Sequence, residues 1–250
     1  HELNRRAAEI ARAVADKSGR PVVVAGSVGP TGELFEPLGK LTEADAILSF
    51  KEQIEGLKAG GADVAWIETM SAKEEMRAAM LAANAAGLPF TYTASFDTAG
   101  RTMMGLPPSD LGGVADGIAP GPIAIGANCG VGASDLLVSV LSMTQAGSGP
   151  IVIAKANCGI PQVHGGEVRY SGTPELMADY TGLAIDAGAR IIGGCCGTSA
   201  AHLAAMRRAL DAHVSGPRPD RATIEARIGK LASPPRATQA EPRRPRRARG

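Results

Sequence analysis

Aromatic residues are scarce, 3% of a 250-residue chain, with a single tryptophan among them. No basic stripe interleaved with aromatic rings is visible, so the pattern of a nucleic-acid platform is absent. No apolar run approaches the ~20 residues that a membrane-crossing helix needs. The opening HELNRR lacks the charged-then-apolar pattern of a secretory leader. Net charge is nearly absent too, at +1, although it is unevenly spread. Residues 234–250 hold six arginines against one glutamate, so the body is mildly acidic. That proline-rich basic stretch is expected to be a disordered tail. Cysteines number four; without an export signal they are expected to be reduced thiols in a cytoplasm. Two of them are adjacent, which favours metal binding or catalysis over disulfides.

With 44% hydrophobic and 20% charged residues, the chain has the composition of a globular protein. It is long enough to bury a sizeable core. Thirty-two glycines, well above the usual ~7%, imply many tight turns and small-residue packing. Short apolar runs expected as strands lie at 21–26, 63–68, 90–96, 122–129, 150–157 and 189–195. Helical patterns cover 2–16, 42–59, 72–86, 135–146, 174–187 and 200–213. Their starts carry recognisable signals: Thr42, a box from Ser71 to Glu74, Ser134 or Asp135, Thr173 followed by Pro174, and Ser199. The alternation of strand, loop and helix predicts a parallel sheet with crossover helices. Nearly every strand ends in a distinctive polar or glycine motif: GSVGP at 26–30, ETM at 68–70, SFD at 95–97, NCG at 128–130, NCG at 157–159 and GGCCGT at 193–198. Chemistry supplied by several strand ends is the habit of a (β/α)8 TIM-type barrel rather than an open sheet. Six units are visible, preceded by a lone helix, so the expectation is a barrel of this type without its first two strand–helix units. The expected division is a barrel domain over 1–216, a helical extension over 217–233 and the tail over 234–250.

Cys129 ends one expected strand and Cys195 and Cys196 end another. Three thiols at one mouth suit Zn2+, which takes thiolates at ~2.3 Å in a tetrahedron and leaves a fourth position open in catalytic sites. Gly193, Gly194 and Gly197 permit the bend that turns both neighbouring thiols inward. Small buried hydrophobes, or an anion cradle at the helix start, are the alternatives. Cys158 could complete a four-thiolate site and is left outside the expected ligand set. None of the four histidines is assigned to the metal. Three thiolates on a divalent ion make an electron-rich site, poor at activating water and suited to an incoming thiol. The bound thiol would be deprotonated near neutral pH and could attack a carbon electrophile. Alkyl transfer to sulfur is the reaction class indicated. Glu68 at a strand end would face the barrel mouth, where a substrate ammonium offsets its desolvation. Trp66 shares that face of the strand. Ser95 and Asn128 are expected on the substrate side, with Asn128 organising the loop beside Cys129.

Together GSVGPTGE (26–33), the ET pair at 68–69, SFDTAGRTMMG (95–105), GANCG (126–130) and IGGCCGT (192–198) resemble the homocysteine S-methyltransferase family over about residues 1–213. The resemblance implies zinc on Cys129, Cys195 and Cys196, and the homocysteine amine on Glu68. It implies methyl transfer to the thiol of L-homocysteine, giving methionine. Betaine is the expected donor, with S-methylmethionine or a methylated corrinoid as alternatives. The family opens with an Asp-Gly strand and a Thr-Asn strand, and neither is found here. The competing expectation is therefore a truncated, non-catalytic zinc-binding remnant. The expected partners are small molecules, homocysteine and a methyl donor. Assembly into a homo-oligomer stays open, and neither a membrane nor a nucleic-acid partner is expected.

Overall fold

The computed structural model describes residues 1–145, 149 and 151–235, apart from the side chains of residues 163, 164 and 168; most of the expected tail, 236–250, lies outside the described residues. The chain opens with α1 (Glu2–Ala15) and then alternates strand and helix. The order is β1 (Ala25–Val28), α2 (Glu43–Ala59), β2 (Val64–Met70), α3 (Lys73–Ala86), β3 (Phe90–Ala94), β4 (Ala124–Cys129), α4 (Ala133–Gln145) and β5 (Ile151–Ala156). A hairpin follows, β6 (Pro161–His164) and β7 (Glu167–Tyr170), then α5 (Pro174–Asp186), β8 (Ile191–Gly194), α6 (Ala200–Asp211) and α7 (Arg221–Ile228).

Six strands pair in parallel in the order β1-β2-β3-β4-β5-β8. They curl into a half-barrel with the helices on the convex side. The expected count of six units is met, and the parallel order follows from helical crossovers between neighbouring strands. β3 is buried along its whole length, as a sheet covered on both faces requires. Against the convex face, α3 buries Met76, Met80 and the alanines at 78, 79, 82 and 83, while α2 adds Phe50 and Ile54. β1 is different. Gly26 and Val28 are buried, but Ala25 and Ser27 are exposed on the concave side. No described helix is long and apolar enough to cross a membrane.

Thr42 caps α2 by accepting from the Asp45 N–H at 3.1 Å, and Thr173 caps α5 by accepting from the Leu176 N–H at 3.2 Å. At α6 the Ser199 N–H donates to His202 Nδ1. Three local expectations need correction. β2 runs on to Met70, so Ser71 falls one residue short of the cap position. That position is taken by Ala72, which offers no side-chain cap. α4 starts at Ala133, and neither Ser134 nor Asp135 opens it. Both are drawn to the C-terminal segment: Ser134 Oγ donates to the Gly229 carbonyl, and the Asp135 carboxylate accepts from the Ala232 and Ser233 N–H groups. The first strand begins at Ala25 rather than Pro21, because the preceding Val24 N–H is taken by the Asp63 carboxylate at 2.7 Å. The stretch after Cys158 adds a hairpin to this frame. Gly165 and Gly166, at φ +57° and +88°, make its turn.

Candidate metal centre

Cys129 is the last residue of β4 and adopts φ +60°, followed by Gly130 at +75°. A non-glycine residue in that region costs ~1–2 kcal/mol, and the conformation turns the chain sharply at the mouth of the half-barrel. On the other side, the Cys195 N–H donates to the Ala156 carbonyl at 2.7 Å, carrying the β5–β8 ladder one step beyond the strand. Gly197, at φ +78°, then reverses the chain. A Cβ there would lie 2.4 Å from the Tyr170 ring, so only glycine fits. The result places the sulfurs of Cys129, Cys195 and Cys196 within 4.8 Å of one another, with 4.0 Å between Cys129 and Cys196.

Thiolates around a tetrahedral ion at ~2.3 Å stand ~3.8 Å apart, so a small contraction closes this trio on a metal. The donor set is that of a soft divalent ion such as Zn2+. Cys129 and Cys195 are partly buried and Cys196 is exposed, which leaves the fourth direction accessible. The hydrogen bond from Cys129 draws the Cys195 thiol down to about 5 against the opposing effect of burial, helped by the Lys155 charge and by Asn128. The same shared proton, together with burial, pushes Cys129 up. Of these two, Cys195 is the thiol that ionises more readily.

Two asparagines hold the trio in place. Asn128, 1% exposed, accepts from the Thr69 N–H at 2.8 Å and from Thr93 Oγ1 at 2.6 Å. Its amide donates to Thr69 Oγ1 at 2.8 Å and faces Cys195 Sγ at 3.8 Å. Asn157 accepts from the Cys196 N–H at 3.0 Å and donates to the Gly130 carbonyl at 2.7 Å, tying the two halves of the cluster together. Cys158 stands apart. Its Sγ faces the Gly172 carbonyl at 3.2 Å, burial raises its pKa, and among the described residues the metal-type group contains only the other three cysteines.

Below the thiols, on the concave face, lies a cavity of about 400 Å³ lined by Ser27, Trp66, Glu68, Ile153, Lys155 and Ile192 among others. Glu68 faces it, with Oε1 accepting from Ser27 Oγ at 2.6 Å and Oε2 from Lys155 Nζ. Ser95 is not among the residues lining this cavity; it is buried beside Gly130, donating to Asp97 Oδ2 at 3.3 Å. Much of the 98–108 loop instead lines another cavity, of about 630 Å³, with α4 and with Leu231, Ser233 and Pro235. Sequence reasoning had given no role to Lys155, Thr69, Asn157 or Glu75, although Thr69 and Asn157 lay within its strand-end motifs. Glu75 is buried and holds the 26–33 loop by accepting from the Thr31 N–H and hydroxyl. Lys155 had left a signal, as the lone charge in the apolar run IVIAKA.

A curled parallel half-barrel with three convergent thiols at its mouth defines a barrel-type protein whose cysteine cluster could hold a metal ion. The pattern of the Homocysteine S-methyltransferase family matches residues 1–210, and the chain belongs to that family of methyltransferases. Methionine synthase of Mycobacterium tuberculosis is 28% identical over 213 residues, covering 81% of this chain and 17% of the relative. Methionine synthase of Mycobacterium leprae is 28% identical over 246 residues, 92% of this chain and 20% of the relative. The chain thus spans about a fifth of the length of these curated relatives. Among solved structures, the apo homocysteine methyltransferase MmuM of Escherichia coli superposes with a TM-score of 0.67 at 23% identity, over 83% of this chain and 73% of that one. A metallated form of MmuM gives 0.59 at 26% identity, over 83% and 67%.

Proposed function

We propose that this chain binds L-homocysteine at the Cys129, Cys195 and Cys196 cluster and serves its methylation to methionine, with Zn2+ as the metal. The convergence of three thiols within 4.8 Å at the half-barrel mouth carries the reading. Zinc held by three thiolates would take a soft fourth ligand and deprotonate an incoming thiol at neutral pH. The chain's own residues position the participants. Asn128 and Asn157 fix the cysteine turns, and Glu68, oriented by Ser27, offers a carboxylate to the substrate ammonium. Ser95 sits close to Gly130, beside the cluster. With the nucleophile activated and oriented, in-line attack on the donor methyl needs no general base.

Betaine is the donor proposed first, from the SFDTAGRTMMG segment. Trp66 is the one aromatic residue lining the cavity beside Glu68, a single π face for a quaternary ammonium. S-methylmethionine and a methylated corrinoid therefore belong in the same assay. The exposed concave side of β1, at Ala25 and Ser27, favours a second reading in which the isolated chain binds zinc and thiol without turnover. Incubation of the zinc-loaded chain with homocysteine and each donor separates the two: methionine formed from one donor supports the enzyme, and none from any supports the binding module. Cys195→Ser is expected to lose stoichiometric zinc. Unchanged zinc in that variant would remove the basis of both readings.

A further inference from the structure

Lys155 occupies an unexpected place. In β5 its neighbours Ala154 and Ala156 are buried, while Lys155 lines the 400 Å³ cavity with Ser27, Trp66 and Glu68. Its ammonium is paired with Glu68, and the two side chains are only 25% and 15% exposed. Taking such a pair out of water offsets most of its mutual attraction, and an apolar pair of similar volume would serve the fold as well or better. Stability therefore does not account for a lysine here. Its depth in the barrel is informative. Register pairs Lys155 with Asn128 on β4 and with Gly193 on β8, one residue before Cys129 and two before Cys195. At about 3.3 Å per residue, the charged pair lies one side-chain layer beneath the thiols. A small thiol reaching the cysteines from the cavity would place its far end there.

The pair is also chemically incomplete. A lysine ammonium has three donors, and among the described residues the Lys155 ammonium is held by Glu68. A carboxylate alone recognises any amine; a carboxylate beside an ammonium matches the α-ammonium and α-carboxylate of an amino acid. We propose that Lys155 and Glu68 form a charge clamp for the amino-acid zwitterion, Glu68 accepting from the substrate ammonium while Lys155 donates to its carboxylate. The two stay paired, so the four charges alternate in sign. Lys155 then makes the site select an amino-acid thiol over a simple aminothiol. The clamp rests on the homocysteine reading above and adds a specificity residue to it.

The test compares L-homocysteine with 3-aminopropane-1-thiol, which lacks only the carboxylate, by calorimetric titration into the zinc-loaded chain. The wild type is expected to bind homocysteine at least about tenfold more tightly, the worth of one charge-assisted hydrogen bond. In Lys155→Met that preference disappears through weaker homocysteine binding, while aminothiol affinity is not reduced. Lys155→Arg keeps the preference. Zinc stoichiometry checks that each variant is folded, and Lys155→Gln replaces the methionine variant if that fails to load metal. A neutral variant that retains the preference, or weakens both thiols equally, overturns the clamp. Equal binding of both thiols by the wild type also overturns it while leaving the homocysteine site standing. Wild-type chain that binds neither thiol overturns the homocysteine reading and the clamp with it.

Discussion

The tripeptide Asn-Cys-Gly occurs twice, at the ends of the adjacent strands β4 and β5, and its two copies have opposite fates. At 128–130 the cysteine joins the thiol cluster and the asparagine is locked into the sheet. At 157–159 the cysteine is 1% exposed and faces a backbone carbonyl, while the asparagine ties the cluster together from outside it. The difference is register. Cys129 pairs with Ala156 and Asn128 with Lys155, so the second copy sits two residues further along the strands than the first. It has passed the mouth. Conformation follows: Cys129 has φ +60°, whereas the second turn places its left-handed residue at Gly159, φ +80°. The same three residues make a ligand at one depth and a tie at another. A motif acquires its role from the layer of the barrel in which it lands.

The largest expected contrast is between the two thiols. Cys129→Ser should lose metal affinity on the order of a thousandfold, since one of three anionic ligands is gone. Cys158→Ser should keep it within about threefold. Metal analysis after dialysis against a competing chelator reads both, and a Cys158→Ser protein stripped of zinc would make Cys158 a ligand and dissolve the comparison. The asparagines come next. Each alanine variant is expected to lose about 10–100-fold in metal affinity, as for groups that orient a metal ligand. They should differ in stability. Asn128→Ala leaves the Thr69 N–H and the Thr93 hydroxyl without their acceptor inside the sheet, for about 3 kcal/mol, whereas Asn157→Ala breaks two bonds at the mouth, for about 1–2 kcal/mol. Equal midpoints in denaturant unfolding would mean that both asparagines are mere ties.

The contrast also shows what a linear reading can see. All six parallel strands were legible, because each is a short apolar run closed by a glycine or polar motif. The convergence of the cysteine trio was legible because vicinal thiols in a glycine-rich turn at a strand end point to a shared mouth. Residue type alone could not exclude Cys158 from the ligand set, and the physical basis of its separate standing is the two-residue offset, a property of strand pairing. Lys155 was missed for the same reason: its partner Glu68 lies 87 residues away. Ser134 and Asp135 resembled helix caps until the chain near 229–233 came back to claim them. The hairpin at 161–170 was invisible because its arms are only four residues long, at the lower limit at which alternation marks a strand.

The smallest expected effect is the most discriminating about the second turn. Cys158 contributes to the cluster through its backbone: its N–H donates to the Cys196 carbonyl at 2.9 Å, and its own carbonyl accepts from the Gly172 N–H at 3.0 Å. Neither bond involves the sulfur. Cys158→Ala therefore keeps the turn beneath Cys196 and gives up a weak S–H donor to Gly172 along with a little packing. The expected cost is about 1 kcal/mol, a fall in Tm of roughly 2–4 °C for a chain of this size, with metal affinity unchanged. Calorimetry of the metal-free protein and zinc titration of the same sample measure the two quantities independently. A loss of zinc affinity out of proportion to so small a loss of stability would show that the thiol, and not the backbone around it, supports Cys196.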